Sequence, residues 1–167
     1  VVEISTVDGH IIRNVAPLNS ITCATGVATD PLSGDLFVAT PCGAPDIFRI
    51  GNPDSATPAA PVPYSASGAA LGLNFTPDGT LWTEAYGAGQ VIKITGTNSG
   101  SPGTATPLAA APIHAGGVLP EFNPADPASP AGLFVSDGVS GSPAAGAVKF
   151  IDLTQDPPVV SSVRKKH

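Results

Sequence analysis

A chain of 167 residues with 19 Gly, 19 Pro and only 12% charged residues is long enough for one domain with a sizeable core, but too often interrupted for many long helices. Its net charge is −6 and its one basic cluster is the terminal "RKKH", which excludes a Lys/Arg track along nucleic-acid phosphates. No run of 18 apolar residues is present to carry a helix through a membrane, so neither nucleic acid nor membrane is an expected partner.

The chain begins at Val1 without Met, as a processed or excised product would. Residues 1–20 hold "VVEIST" and "HIIRNVAPL" around the turn signal "VDG", which reads as two paired strands. In residues 21–66 a first strand is expected from Gly26 and a second at Leu36-Phe37 after the turn "DPLSG". A third follows at "DIFRI" and a weak fourth around "PVPYS". Residues 67–111 repeat the order with Gly72, "TPDG", Leu81-Trp82, "QVIKI" and "ATPLAA". Residues 112–167 repeat it again with Gly117, the longer turn "NPADPASPAG", Leu133-Phe134, "AVKFI" and "PPVVSSV".

The three glycines lie 46 and 45 residues apart, a period in the range of four-stranded propeller blades. The expected fold is therefore all-β, a β-propeller of four-stranded antiparallel blades. Small residues at first-strand positions suit its crowded axis. Residues 1–20 then form the outer two strands of a further blade, so the chain carries about three and a half blades. An open arc exposes apolar sheet faces at both ends. A second chain or a second copy is thus expected to complete a ring of about six or seven blades. The cut within a blade favours a separate polypeptide, or a longer protein of which this is a piece.

Two cysteines, Cys23 and Cys42, flank the first complete hairpin. Antiparallel pairing about Leu32 and Ser33 gives partner numbers summing to about 65, and these two meet that condition. Directly opposed residues of a non-hydrogen-bonded pair have Cα atoms ~4.5 Å apart, near the lower edge for a disulfide. A Cys23–Cys42 bridge is expected, against two buried free thiols, and with it an oxidising compartment and secretion to the extracellular space.

The stretch "GLNFTPDGTLWTEAYGAGQVIKI" resembles the blade consensus of NHL-type repeats, streptogramin lyases and the gluconolactonase/senescence marker protein superfamily. The resemblance covers nearly the whole chain. It implies an axial site on the loops joining fourth to first and second to third strands, with a divalent metal or a catalytic His/Glu pair. By strand order those loops hold Cys23, Cys42 and Asp46, then Glu84 and Tyr86, then His114, Asp137 and Ser140. Asp137 ends "LFVSD", where lactonase-like relatives often carry an axial Asp. "LWTE" at Leu81–Glu84 is similar to the lyase repeat "LWFTE", one residue shorter. The Asn-Gly that opens metal-binding blades is replaced by Thr25-Gly26, Leu71-Gly72 and Gly116-Gly117.

His114, beside Gly116-Gly117, is a candidate metal ligand or general base, or else a loop histidine bonded to a backbone carbonyl. Glu84 is a candidate catalytic partner for it. Glu84 and Asp137 are candidate oxygen ligands for Ca²⁺ or another divalent cation, although a calcium site takes about six to eight oxygens and strand-end acids often cap turns instead. Tyr86 and Asp46 are candidate binding residues. "VSGSPAAG" lacks the strand-turn-helix context of a nucleophile elbow, so Ser140 reads as an ordinary loop hydroxyl.

Two functions compete on this sequence. One is a superfamily enzyme, a hydrolase or lyase in which a metal polarises the carbonyl of a small-molecule ester or lactone and His114 or a carboxylate moves the proton. The other is a secreted, non-catalytic propeller that serves as a platform for a protein or a carbohydrate.

Overall fold

Gly, Pro and Asx turns interrupt the chain so often that no described strand exceeds seven residues. The computed structural model describes residues 1–17, 19–65, 71–85, 88–99, 102–108, 115–121, 126, 130–138 and 146–163. Strands β1 (Val2–Ile4) and β2 (Ile11–Asn14) form an antiparallel pair. A four-stranded sheet follows: β3 (Gly26–Thr29), β4 (Leu36–Ala39), β5 (Ile47–Ile50) and β6 (Val62–Ser65). A second contains β7 (Leu73–Phe75), β8 (Leu81–Ala85), β9 (Gln90–Thr95) and β10 (Thr104–Pro107), with a 3₁₀ turn at Thr97–Ser99. A third contains β11 (Ala115–Glu121), β12 (Gly132–Asp137), β13 (Ala147–Asp152) and β14 (Val159–Ser162). Each is an antiparallel meander with its strands in chain order.

The turns explain the registers. In "DPLSG" the Asp30 carboxylate accepts from Leu32 N–H at 2.9 Å; in "TPDG" Asp78 accepts from Thr80 N–H at 3.0 Å, the local bonding that makes Asp a turn former. Gly79 takes φ +80°, and a Cβ there would lie 2.6 Å from Leu32 Cδ1 of the neighbouring turn. The tips of the two turns are therefore packed together.

Alternation with period two gives each sheet two apolar faces, and the sheets stack through them. Phe37, Ile47 and Tyr64 of the first four-stranded sheet meet Leu81, Ile92 and Ile94 of the second. Trp82 and Val91 of the second meet Val118, Leu133, Val135 and Ile151 of the third. Val15 and Ala16, just past β2, cover Val38 and Ile50. Each fully buried Phe, Leu or Ile contributes about 1.5–3 kcal/mol, so the junctions between sheets hold the fold. Polar ties reinforce them: Thr97 Oγ1 donates to Asp30 Oδ2 at 3.0 Å, Gly103 N–H to Tyr64 Oη at 2.9 Å, and Asn74 Nδ2 to the Val118 carbonyl at 2.5 Å.

The first strands converge on a seam of glycines. A Cβ on Gly26 would sit 2.6 Å from the Leu71 carbonyl oxygen, and one on Gly72 would sit 3.1 Å from Gly117 Cα. Four-stranded meanders stacked face to face, with their inner strands meeting at one axis, make this a β-propeller fold. The three four-stranded sheets are its first, second and third blades, and β1–β2 is the outer half of a further one. Both ends of the arc leave apolar side chains uncovered: Val27 is 57% exposed beside the half blade, and Leu119 is 55% exposed on the far face of the third blade.

Cys23 and Cys42 form a disulfide with Cα atoms 5.9 Å apart. The pairing sum of 65 holds inside the ladder, as in Gly26↔Ala39. The bridge itself lies beyond the strand ends, where Cys23 takes φ +55°, so the opposed-pair geometry expected from the sequence does not extend to it.

Candidate functional site: the axial end and its buried carboxylate

Gly26 and Gly117 lie opposite Ala39 and Ser136 of their second strands, and Gly72, one residue before the pair Leu73↔Thr83, lies against Glu84. Opposed residues share a face, so whatever stands there occupies the space that the glycine leaves. In the second blade that residue is Glu84. A Cβ on Gly72 would be 3.6 Å and 3.7 Å from its two carboxylate oxygens. Glu84 Oε1 accepts from Gly72 N–H at 2.7 Å and from Leu71 N–H at 3.1 Å. In the third blade Ser136 Oγ does the same for Gly116 N–H at 3.2 Å. In the first, where Ala39 has no polar side chain, its carbonyl accepts from Thr25 N–H at 3.0 Å.

Glu84 is fully buried and its Oε2 has no hydrogen-bond partner. Burial therefore pushes its carboxyl up to about 7, against the two backbone N–H groups that favour the ionised form. Near neutral pH this group holds or releases a proton while sealed from solvent.

Above the glycine seam opens a concavity of about 470 Å³, lined by Thr25, Gly26, Gly72, Asn74, Gly117 and Ser136, among others. Its described walls are backbone, hydroxyls, one amide, aliphatic groups and the Phe134 ring. Glu84 lies beneath Gly72 and is not one of its lining residues. Sequence reasoning missed Thr25, Asn74 and Ser136. The signal was available, since each sits within two places of a repeat glycine or faces it across the ladder.

Asp137 ends β12, and its carboxylate is 3.8 Å from Lys149 Nζ. By alternation with Val135 it faces the second blade, while Glu84, by alternation with Trp82, faces the third, so both point into the same junction. Asp46 is buried just before β5, and its carbonyl accepts from Thr40 N–H at 2.7 Å. Tyr86, His114 and Ser140 lie outside the described residues.

Whether these residues suit a divalent cation can be tested on their bonding. One Glu84 oxygen is committed to two backbone N–H groups, Asp137 is engaged with Lys149, and among the described residues no three His, Cys, Asp or Glu side chains cluster as ligands would. The described donor set does not fit a metal, and no reaction step is derived through one.

The fold defines the class: a β-propeller, whose concavity runs along the first strands at the axis and onto the uncovered face of the third blade at Leu119 and Val148. Among solved structures the chain is similar to a streptogramin B lyase, with a TM-score of 0.56 at 15% identity over 95% of this chain and 46% of that one. It is also similar to a catalytically inactive virginiamycin B lyase from Staphylococcus aureus, solved with quinupristin, with a TM-score of 0.55 at 14% identity over 96% of this chain and 47% of that one. The chain thus spans less than half the length of either structure. No family model and no curated protein matches it. Among the described residues no helix is long and apolar enough to cross a membrane.

Proposed function

We propose that this chain forms part of an extracellular β-propeller of the lactonase and streptogramin-lyase-like superfamily, whose axial end acts on a small-molecule ester or lactone. A second chain or a second copy completes the ring; uncovered Val27 and Leu119 at the two ends of the arc support that partner. The disulfide supports secretion. The observation that carries the enzymatic reading is Glu84. It is a carboxyl with a pKa near 7, one oxygen unpartnered, placed under the floor of the axial concavity on the loop-bearing side. A carboxyl of that pKa suits proton transfer at neutral pH. It reaches a substrate when the Gly72 and Gly117 backbone shifts, and His114 is its proposed partner. A divalent cation, calcium or another, enters this proposal only with ligands from the rest of the ring.

A second reading is favoured by a specific observation. Glu84 spends its accepting oxygen on the backbone of its own blade, as Ser136 does, which suits a non-catalytic platform that binds a protein or a carbohydrate. Aryl esters and lactones incubated with the completed ring separate the two. The enzymatic reading expects turnover that falls at least tenfold in Glu84→Gln and His114→Ala. Turnover unchanged in both variants would remove Glu84 and His114 from the reaction, and none with any substrate leaves the platform.

A further inference from the structure

At the turn end, opposite the axial concavity, a groove of about 290 Å³ opens between the second and third blades. Its walls include Leu108 from the second blade and Pro130, Leu153 and Pro158 from the third; Trp82 and Lys93 also line it. Two observations mark it as a site that lacks its occupant. Trp82 is 97% buried, given its 3% exposure, yet its Nε1–H finds no acceptor, whereas buried indole N–H groups ordinarily have one. Arg13, Arg49 and Lys149 each lie within ion-pair distance of a carboxylate, while Lys93 has no such partner among the described residues. Its ammonium instead sits over the Trp82 ring, 5.7 Å from the centroid.

We infer that this groove binds a small carboxylate with an apolar body. Both open groups are donors, and one is charged, so the complementary ligand offers acceptor oxygens and a negative charge. Asp78 borders the groove and interacts with the Lys93 charge through space, but it forms no ion pair with it. Its oxygens accept from Thr76 Oγ1 at 2.6 Å, Thr80 N–H at 3.0 Å and Thr80 Oγ1 at 3.0 Å. The aliphatic walls take the ligand's chain. Trp82 Nε1 is closed to solvent in the unliganded chain. The carboxylate therefore meets Lys93 first and reaches the indole N–H only as the side chains around it shift.

Trp82 is the single tryptophan, so its emission reports on the groove directly. The probes are sodium hexanoate and its neutral counterpart hexanamide, titrated at constant ionic strength. Hexanoate is expected to shift the emission saturably, and hexanamide to bind at least tenfold more weakly. Lys93→Gln should weaken hexanoate at least tenfold with the unfolding midpoint unchanged, and Lys93→Arg should retain it within threefold. Calorimetry on Trp82→Phe, which keeps the ring plane and removes the N–H, should show severalfold weaker binding. Lack of a saturable response to hexanoate, equal binding of the amide, or an affinity indifferent to Lys93→Gln would overturn the assignment.

Discussion

The two junctions between complete blades use the same repeat positions for different chemistry. Between the first and second blades, Phe37 stands where the repeat places Leu-aromatic, and its ring meets Tyr64 and Phe75 edge-on at 4.8 Å and 5.2 Å. Ala39 lies opposite the first-strand glycine, and the polar groups that cross the junction, Asp30, Thr97 and Tyr64, are all bonded. Between the second and third blades the matching positions are Trp82 and Glu84, and each keeps an unpartnered buried polar atom. At the first junction each of these crossing polar groups is bonded. The other tolerates two desolvated polar groups, each of which costs stability on the order of 1–3 kcal/mol, and such groups point to roles outside folding.

Breaking the first junction should produce the largest effect. Phe37→Ala removes a fully buried ring and its two edge contacts, and about 3–5 kcal/mol of unfolding free energy should be lost in denaturant titration. A loss under about 1 kcal/mol would show that the aromatic cluster is not what holds these blades together.

The second junction should reveal itself through pH. The folded Glu84 carboxyl titrates near 7 against an ordinary value of 4.5, so folding favours its protonated form. Its contribution is therefore most favourable below about pH 4.5, declines as pH rises through 7 and is flat above, a change on the order of 3 kcal/mol. Glu84→Gln keeps an oxygen for the Gly72 N–H and cannot ionise. Its stability relative to the parent chain should rise across that window. Parallel pH profiles for the two proteins would refute a neutral-range pKa at this site.

A smaller effect tests the polar seam of the first junction. Thr97→Val removes the one hydroxyl proton shared between Asp30 Oδ2 and the Gly79 carbonyl at nearly constant volume, and should cost about 1–2 kcal/mol. The Phe37 rings should remain packed, as near-ultraviolet circular dichroism would show.

Much of this was legible in the chain. The strand order, the turns and the half blade followed from Gly26, Gly72 and Gly117, their Asp-containing turns and the Leu-aromatic pairs, because alternation and turn chemistry are local properties. The position of Cys23 against Cys42 followed from the same register, except that the ladder ends before it reaches them. The site was less legible. Glu84 stood out as an acid near the functional end, but its bonds to Leu71 and Gly72 depend on a glycine opposite it and on the third blade closing over both. Asn74 and Ser136 carry no motif, and only the pairing of β8 with β9 sets Lys93 over Trp82.

Period, turn chemistry and composition thus set the architecture before any contact was known, since each acts within a few residues of chain. Which polar groups stay bonded and which are stranded is a matter of packing. At the equivalent place in the first blade, Ala39 opposite Gly26 offers no carboxyl at all. The one opposite Gly72 is held by two N–H groups and sealed beneath Gly117, and only the stacking of one blade on the next raises its pKa toward 7.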